Sequence, residues 1–294
     1  MISLRSFVAA VVAATALSPA QSPEALGFDS QRLARLDAYM AKTVSDGRVS
    51  GMVTLLARHG QIVSQKTYGV QSLATGAPMT KDTIFRFYSM SKPITGVAMM
   101  MLFEEGKWRL DQPITAFIPE FRSLKVTTGK NADGTLALEP MKRPPTMREL
   151  MSHSAGFGYG LFEEHPVDKL YREKGVLAAN GLADMIKRTA EIPLMYQPGT
   201  RWSYSSAVDI QGYIIEKITG MKFGDFLQQR IFKPLKMNDT AFLVPREKMP
   251  RFAAVYSPNL MTGKIEEAKV LFGVPMPTYA EPPALESGGG GLVG

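Results

Sequence analysis

Two side chains three residues apart are suited to activating a nucleophile: Ser89 and Lys92, in Ser89-Met90-Ser91-Lys92. On a helix, side chains at positions i and i+3 share one face, so the Ser89 hydroxyl and the Lys92 amine come within hydrogen-bonding reach. A serine hydroxyl is a poor nucleophile until a base accepts its proton. A lysine is normally protonated at neutral pH, but burial and the positive end of a helix dipole both disfavour the ammonium form. Because the four-residue pattern is short, an ordinary surface pair remains an alternative.

A tyrosine far downstream supplies a third group for the same chemistry. Tyr204 lies in a loop, 198–206, that carries further hydroxyls and directly precedes a helical pattern. A tyrosine beside a cationic lysine ionises more readily, and its oxygen can move the serine proton to a leaving group. The alternative is a tyrosine that caps the helix entry, with Trp202 packed beneath it.

The composition narrows the chemistry to hydroxyls, amines and carboxylates. The 294 residues include no cysteine and three histidines, which show neither H-x-x-H nor H-x-x-x-H spacing. This excludes a thiol nucleophile and a thiolate metal site, so we expect neither a metal nor an organic cofactor. The net charge is +7, but lysines and arginines are scattered rather than clustered with aromatic residues. We therefore expect no nucleic-acid partner.

The elements that must position these groups predict an α+β fold. Residues 51–69 predict two strands that turn at His59-Gly60, because the segments are β-branched and bounded by glycine. Apolar residues at helical spacing from Ile94 predict a helix, and Pro93 requires it to begin near Ser89 to Ser91. A connection over 111–145 is rich in proline and glycine. Further helices are predicted from Asp29 toward Met40, from Thr146 (through a capping box with Glu149), at 182–188, after Ser205 up to Gly220, and at 223–231.

Taken together, these segments resemble the serine β-lactamase and penicillin-binding-protein superfamily, most closely its class C-like esterase branch, the family VIII carboxylesterases. The resemblance follows the family's order along the chain at residues 84–95, 150–157, 197–204, 231–237 and 287–292. It implies an antiparallel sheet flanked by helices, an α/β sandwich with a mostly helical subdomain at about 107–240.

Carried over residue by residue, the resemblance implies Ser89 as the acyl-enzyme nucleophile, Lys92 as its activating partner and Tyr204 as general base and acid. The backbone N–H of Ser89 would be one oxyanion-hole donor. Where β-lactamases have Tyr-x-Asn, this sequence has Ser206. Because serine lacks the donor and acceptor pair of an amide, we expect Ser206 to bind substrate in a site that prefers small esters. A β-lactamase or D-amino-acid peptidase acting on an amide is the nearest alternative, and a non-catalytic binding module or inactive fragment is another.

The two ends of the chain give separate expectations. Arg5, an apolar run over 7–17 and Ser18-Pro19-Ala20 predict a signal peptide over 1–20. We therefore expect residues 21–294 to form a hydrolase domain that is exported to the periplasm or secreted. After cleavage, no stable membrane span is expected. The sequence leaves the oligomeric state open. The family's third motif has no match here, and its place lies beyond Gly294, so the sheet's C-terminal strands are expected to be missing.

Two other patterns favour plainer interpretations. His153 could be taken as the base of a catalytic triad, but no G-x-S-x-G motif surrounds it, so we interpret it as a structural residue of the turn at 152–156. Gly289-x-Gly291-x-x-Gly294 fits a dinucleotide fingerprint in form only, because no helix follows it, and we interpret it as a glycine-rich turn.

Overall fold

The computed structural model describes residues 22–161, 165–271 and 274–294. The predicted signal peptide therefore lies outside the described residues. The helices are α1 (Ser30–Ser45), α2 (Ser91–Glu104), α3 (Met147–Met151), α4 (Pro166–Glu173), α5 (Leu182–Ala190), α6 (Ala207–Thr219) and α7 (Phe223–Leu227). The strands are β1 (Gly51–Arg58), β2 (Gln61–Gly69), β3 (Lys125–Lys130), β4 (Leu136–Pro140), β5 (Tyr256–Pro258), β6 (Ile265–Glu267), β7 (Val270–Leu271) and β8 (Val274–Pro275). Each described sheet is an antiparallel pair.

The chain divides into two compact units. The first comprises the described part of Met1–Asp82 with Tyr256–Glu267, and the second comprises Thr83–Val255 with Ala268–Gly294. The predicted helical subdomain at 107–240 falls entirely inside the second unit. Among the described residues, no helix is long and apolar enough to cross a membrane.

In the first unit, the predicted helix and hairpin are confirmed. The Asp29 carboxylate caps α1 by accepting from the Arg32 backbone N–H at 2.9 Å. β1 pairs with β2 from Gly51 opposite Gly69. The turn between them places His59 and Gly60 in the left-handed region, at φ 52° and 74°, which is typical of a tight hairpin with the right-handed twist of its strands.

The second unit is built around α6. This helix packs against α2, α3, α5 and α7, and its residues 207–215 are all buried. Ile210 and Ile214, four residues apart on one face, are both fully buried, as their spacing predicts. Gly220 ends the helix in the left-handed conformation at φ 71°, as predicted.

α2 begins where Pro93 requires. A 3-10 turn over Tyr88–Met90 leads into the helix, which starts at Ser91. Its buried face carries Ser91, Thr95, Ala98, Met99 and Leu102. Ser89 is therefore exposed two residues before a helix that is anchored in the core.

The segment 111–145 is more ordered than the sequence predicts. It contains two 3-10 turns and the β3–β4 hairpin, in which Lys125 lies opposite Pro140. The hairpin closes through Asn131, whose backbone N–H donates to the Thr135 carbonyl oxygen. The apolar alternation is too short on either side of the turn to signal strands by itself. α4 was also not predicted; Pro166 occupies its first turn, and His165 caps it by accepting from the Val167 backbone N–H.

The predicted capping box at the start of α3 is confirmed. The Thr146 hydroxyl accepts from the Glu149 backbone N–H, and the Glu149 carboxylate accepts from the Thr146 backbone N–H. Arg143 holds the same carboxylate through two hydrogen bonds. Glu149 is thereby fixed in place, and the turn that follows α3 carries His153.

Candidate active site

Ser89 lies at the centre of a hydrogen-bonded group. Its Oγ is 2.7 Å from the Tyr204 hydroxyl oxygen and 3.2 Å from Lys92 Nζ. Tyr88, just before it, has a left-handed φ of 45°, a conformation that is strained for an aromatic residue. This kink and the 3-10 turn present the Ser89 side chain at the surface while α2 continues into the core.

Lys92 is surrounded by acceptors and aromatic rings. Its Nζ donates to the Gly289 carbonyl oxygen at 2.5 Å and contacts the Tyr159 hydroxyl at 3.5 Å. Nζ also lies 4.6 Å from the centre of the Tyr204 ring. Together with Ser89, these partners match the three donors of an ammonium group, so the amine is held at a fixed position beside the nucleophile.

Tyr204 is held by rings on several sides. His153 stacks on it at a centroid distance of 5.2 Å, and Tyr159 contacts it edge to face at 5.4 Å. Trp202 is also near, at 6.4 Å, but it is 65% exposed and is not packed beneath the tyrosine. The phenol is therefore oriented by its neighbours before any substrate arrives.

Tyr159 is a site residue that the sequence reasoning missed. It is 5% exposed, and burial raises the pKa of its phenol, with the nearby Asp209 and Tyr204 acting in the same direction. The phenol therefore keeps its proton at neutral pH. The available signal was the position of Tyr159 six residues after His153, within the segment that follows α3.

Behind Lys92 lies a second missed residue, the fully buried Asp209. Its Oδ1 accepts from the Ser287 hydroxyl at 2.5 Å and from the Gly289 backbone N–H at 3.0 Å. Its Oδ2 is buried without a hydrogen-bond partner among the described residues. Burial raises the pKa of the Asp209 carboxyl, whereas these hydrogen bonds and the charge of Lys92 act against that shift.

The predicted glycine-rich turn packs directly against α2. The Thr95 hydroxyl donates to the Gly288 carbonyl oxygen at 2.9 Å, and Ser91 Oγ accepts from the Leu292 backbone N–H at 3.1 Å. A Cβ added at Gly289 would lie 2.7 Å from both Asp209 Oδ2 and the Tyr159 hydroxyl oxygen. The turn therefore needs glycine at 289 for close packing and serves as a wall of the site.

The structure brings Ser89, Lys92 and Tyr204 together, and it places the Ser206 hydroxyl elsewhere. Ser206 is fully buried at the start of α6, where its hydroxyl donates to the Gly158 carbonyl oxygen at 3.1 Å. The backbone N–H of Ser206 donates to the same oxygen at 3.0 Å. Substrate binding by Ser206 stays a prediction, and in this conformation its one hydroxyl proton is already donated.

Comparison with known proteins shows which family the chain is similar to. The profile of the family described as Beta-lactamase matches residues 36–294. Esterase EstB of Burkholderia gladioli is 32% identical over 92% of this chain and 69% of its own length. Lovastatin esterase of Penicillium rubens is 29% identical over 73% of this chain and 54% of its own length.

A solved structure shows the same fold. EstCE1, described as a hydrolase with promiscuous acyltransferase activity, superposes with a TM-score of 0.74 at 26% identity, over 90% of this chain and 69% of its own. The chain thus spans between about half and two thirds of the length of these relatives. The α+β architecture and the β-lactamase/transpeptidase-like fold implied by the resemblance are confirmed, and the chain belongs to the beta-lactamase family.

Proposed function

We propose that this protein is a serine hydrolase that cleaves or transfers the acyl groups of small esters through an acyl-enzyme on Ser89. The observation that carries the proposal is the position of Ser89 Oγ, within hydrogen-bonding distance of both Tyr204 and Lys92. A nucleophile next to an oriented base is the arrangement that covalent catalysis requires. The relatives named as esterases and as a hydrolase with acyltransferase activity support the same chemistry.

The contacts suggest a sequence of proton movements. Ser89 Oγ attacks the ester carbonyl carbon and gives its proton to the Tyr204–Lys92 pair, one member of which enters the step without its proton. The carbon–oxygen bond to the leaving alcohol then breaks, and the stored proton passes to that alcohol. Water or a second alcohol attacks the acyl-enzyme in the reverse manner, which gives hydrolysis or acyl transfer and restores the Ser89 proton.

A direct test is hydrolysis of a short-chain p-nitrophenyl ester. Ser89→Ala should abolish turnover, and a fluorophosphonate probe should label Ser89 in the unchanged protein and nothing in the variant. Ser45→Ala is a suitable control, because Ser45 lies at the end of α1 in the other unit. Turnover by Ser89→Ala at the rate of the unchanged protein would overturn the proposal.

We also propose a preference for esters over β-lactams. The support is the absence of an amide side chain at 206 and the engagement of the Ser206 hydroxyl with Gly158. An amide at that position would offer both a donor and an acceptor to a substrate amide. Comparing a chromogenic cephalosporin with the p-nitrophenyl ester tests the preference, and a larger kcat/KM for the cephalosporin would refute it.

Export belongs to the proposal as well. Arg5, the apolar run at 7–17 and the small residues at 18–20 support cleavage near residue 20 and a periplasmic or secreted location. Sequencing the N-terminus of protein recovered from the periplasm and the medium tests this. An intact Met1 on protein confined to the cytoplasm would contradict it.

A further inference from the structure

His153 is bonded to both chain neighbours of Tyr204. Its carbonyl oxygen accepts from the Ser203 backbone N–H at 2.9 Å. Its Nδ1 accepts from the Ser205 backbone N–H at 3.2 Å and lies 3.0 Å from the Ser205 hydroxyl. Tyr204 itself lies under the imidazole ring, with 25° between the two ring planes. A single residue thus fixes the backbone before and after the tyrosine as well as the tyrosine ring.

The bond from Ser205 determines the protonation of the imidazole. A backbone N–H can only donate, so Nδ1 must be free of a proton, and the neutral ring then carries its proton on Nε2. An imidazolium carries protons on both nitrogens and cannot accept this bond. Ser205 is 2% exposed, so water cannot readily replace the lost acceptor, and a buried N–H without a partner is unfavourable.

The backbone around His153 supports this role. The residue has a left-handed φ of 56°, a conformation that histidine and asparagine adopt more readily than most residues. It follows α3, whose start is fixed by the Thr146–Glu149 capping box. The capped helix α3 thus fixes the position of His153, and the imidazole contacts the Tyr204 loop.

We propose that neutral His153 is a positioning residue that holds the Tyr204 phenol against Ser89, and that protonation of His153 releases the Tyr204 loop. The inference rests on the proposed function, since it assigns Tyr204 a part in catalysis. Of the titratable groups facing the ring, Lys92 comes from α2 and Tyr204 from the loop. On the side of α3, the Glu149 carboxylate is engaged by Arg143.

The electrostatics of the pocket agree with the geometry. Burial lowers the pKa of the His153 imidazole, and the positive charge of Lys92 lowers it further. Both effects favour the neutral form that the Ser205 bond requires. Release of Tyr204 is thereby moved to a lower pH than the one at which an ordinary histidine is protonated, and activity should fall there.

Two variants at position 153 separate the hydrogen bond from the stacking. Asparagine tolerates the left-handed conformation, and its amide oxygen can replace Nδ1 as an acceptor without titrating; alanine removes the acceptor, and both variants remove the ring. We expect His153→Ala to lower kcat about tenfold or more with KM within about twofold, and His153→Asn to lower it less. His153→Asn should also lose the acidic limb of the kcat profile that the unchanged protein shows.

Two controls complete the experiment. His165→Asn changes another half-buried histidine, which caps α4, and should leave the acidic limb in place. Thermal melting of each variant identifies loss of folding, and only variants that melt within about 3 °C of the unchanged protein are compared. Equal kcat for His153→Ala and the unchanged protein, or an unchanged acidic limb in His153→Asn, would overturn the proposal.

A measurement independent of activity distinguishes this inference from the proposed function. The chain has three histidines, so the nitrogen-15 resonances of His153 can be assigned by their loss in His153→Asn. They should show the Nε2–H tautomer at neutral pH. An Nδ1–H tautomer or an imidazolium would refute the role of His153 even in an active enzyme, whereas an inactive protein with the expected tautomer would refute the proposed function alone.

Discussion

Asp209 and Lys92 are connected through a single residue, Gly289. The backbone N–H of Gly289 donates to the Asp209 carboxylate at 3.0 Å, and its carbonyl oxygen accepts from Lys92 Nζ at 2.5 Å. The buried carboxylate therefore determines where the carbonyl acceptor of the amine lies. This makes the glycine-rich turn part of the machinery that holds Lys92 beside Ser89.

Substitution at Gly289 should disrupt this connection. A Cβ in Gly289→Ala would lie 2.7 Å from both Asp209 Oδ2 and the Tyr159 hydroxyl oxygen, so these groups must move. We expect a loss of about 1–3 kcal/mol in the free energy of unfolding and a kcat at least tenfold lower, by about the amount that a small misplacement costs. Denaturant titration measures the free energy of unfolding, and ester hydrolysis measures kcat.

Gly290→Ala is the matched control for that variant. The nearest atom to a Cβ at 290 would be the backbone carbonyl carbon of Tyr88, at 3.7 Å, which is an ordinary contact. This variant should resemble the unchanged protein in both measurements. Equal behaviour of the two alanine variants would show that the close packing at 289 is unimportant.

Asp209→Asn should separate activity from stability. The asparagine can still accept from Gly289 but lacks the negative charge behind Lys92, so we expect kcat to fall about tenfold or more. Since burial raises the pKa of the Asp209 carboxyl, the folded chain binds that proton more tightly than the unfolded chain. The contribution of Asp209 to stability therefore falls as the pH rises above the ordinary pKa of an aspartic acid, and it is unfavourable at neutral pH.

The variant should accordingly melt at the same temperature as the unchanged protein or higher at pH 7, with any advantage shrinking as the pH approaches about 4, the ordinary pKa of an aspartic acid. Melting curves across this pH range and ester kinetics at pH 7 provide the measurement. An Asp209→Asn enzyme with full kcat would show that the charge behind Lys92 is dispensable.

Removal of the Tyr204 hydroxyl tests its part in proton transfer. Tyr204→Phe keeps the ring that His153 and Tyr159 contact but removes the oxygen 2.7 Å from Ser89 Oγ. We expect kcat to fall roughly 10²- to 10⁴-fold, the usual range for loss of a general base, with little change in KM. A comparable variant, Tyr39→Phe, alters an exposed residue of α1 and should leave kcat unchanged.

An ion pair away from the site gives a stability prediction of opposite sign to that of Asp209. Asp239 accepts two hydrogen bonds from Arg251, each at 2.8 Å, and pairs with Lys248 at 2.9 Å. The hydrogen bonds from Arg251 hold the pKa of the Asp239 carboxyl far below its usual range, with Lys248 adding to the effect. The stabilising contribution of Asp239 is complete above the ordinary pKa of an aspartic acid, and it is lost as the pH falls toward the lowered pKa of the folded chain.

Asp239→Asn should therefore lower the free energy of unfolding by about 1 kcal/mol at pH 7, a value reduced for the partial exposure of the pair. The difference from the unchanged protein should shrink below about pH 4. Denaturant titration at pH 7 and pH 3 measures it, and a difference that grows on acidification would contradict the sign.

The local part of the site could be predicted from the sequence. The i, i+3 spacing and Pro93 were sufficient to place Ser89 and Lys92 at the start of α2, and the loop before α6 marked Tyr204. Tyr159 and Asp209 were not predicted, because each reaches the site through packing between distant segments. The bond between Lys92 and Gly289 joins residues 197 positions apart, and no periodicity in the sequence encodes such a contact.

The secondary structure was likewise predictable where nearby residues determine it and unpredictable where pairing between segments does. The ends of α2, α3 and α6 were predicted because capping residues, proline and glycine act locally at Thr146, Pro93 and Gly220. The β3–β4 hairpin was missed because it depends on a turn at Asn131 and on pairing across it. The glycine-rich turn was recognised as a turn, but its contribution to the site came only from its neighbours.

The left-handed backbone at Tyr88 has a consequence for how the site assembles. Its φ of 45° is unfavourable in an isolated chain, so the surrounding structure must impose it. The adjacent backbone supplies that constraint: the Phe87 N–H donates to the Leu292 carbonyl oxygen, and the Phe85 N–H donates to that of Gly294, each at 2.9 Å. The nucleophile therefore acquires its final orientation only after residues 85–87 have paired with residues 292–294, and recovery of ester hydrolysis during refolding would report completion of that step rather than formation of α2.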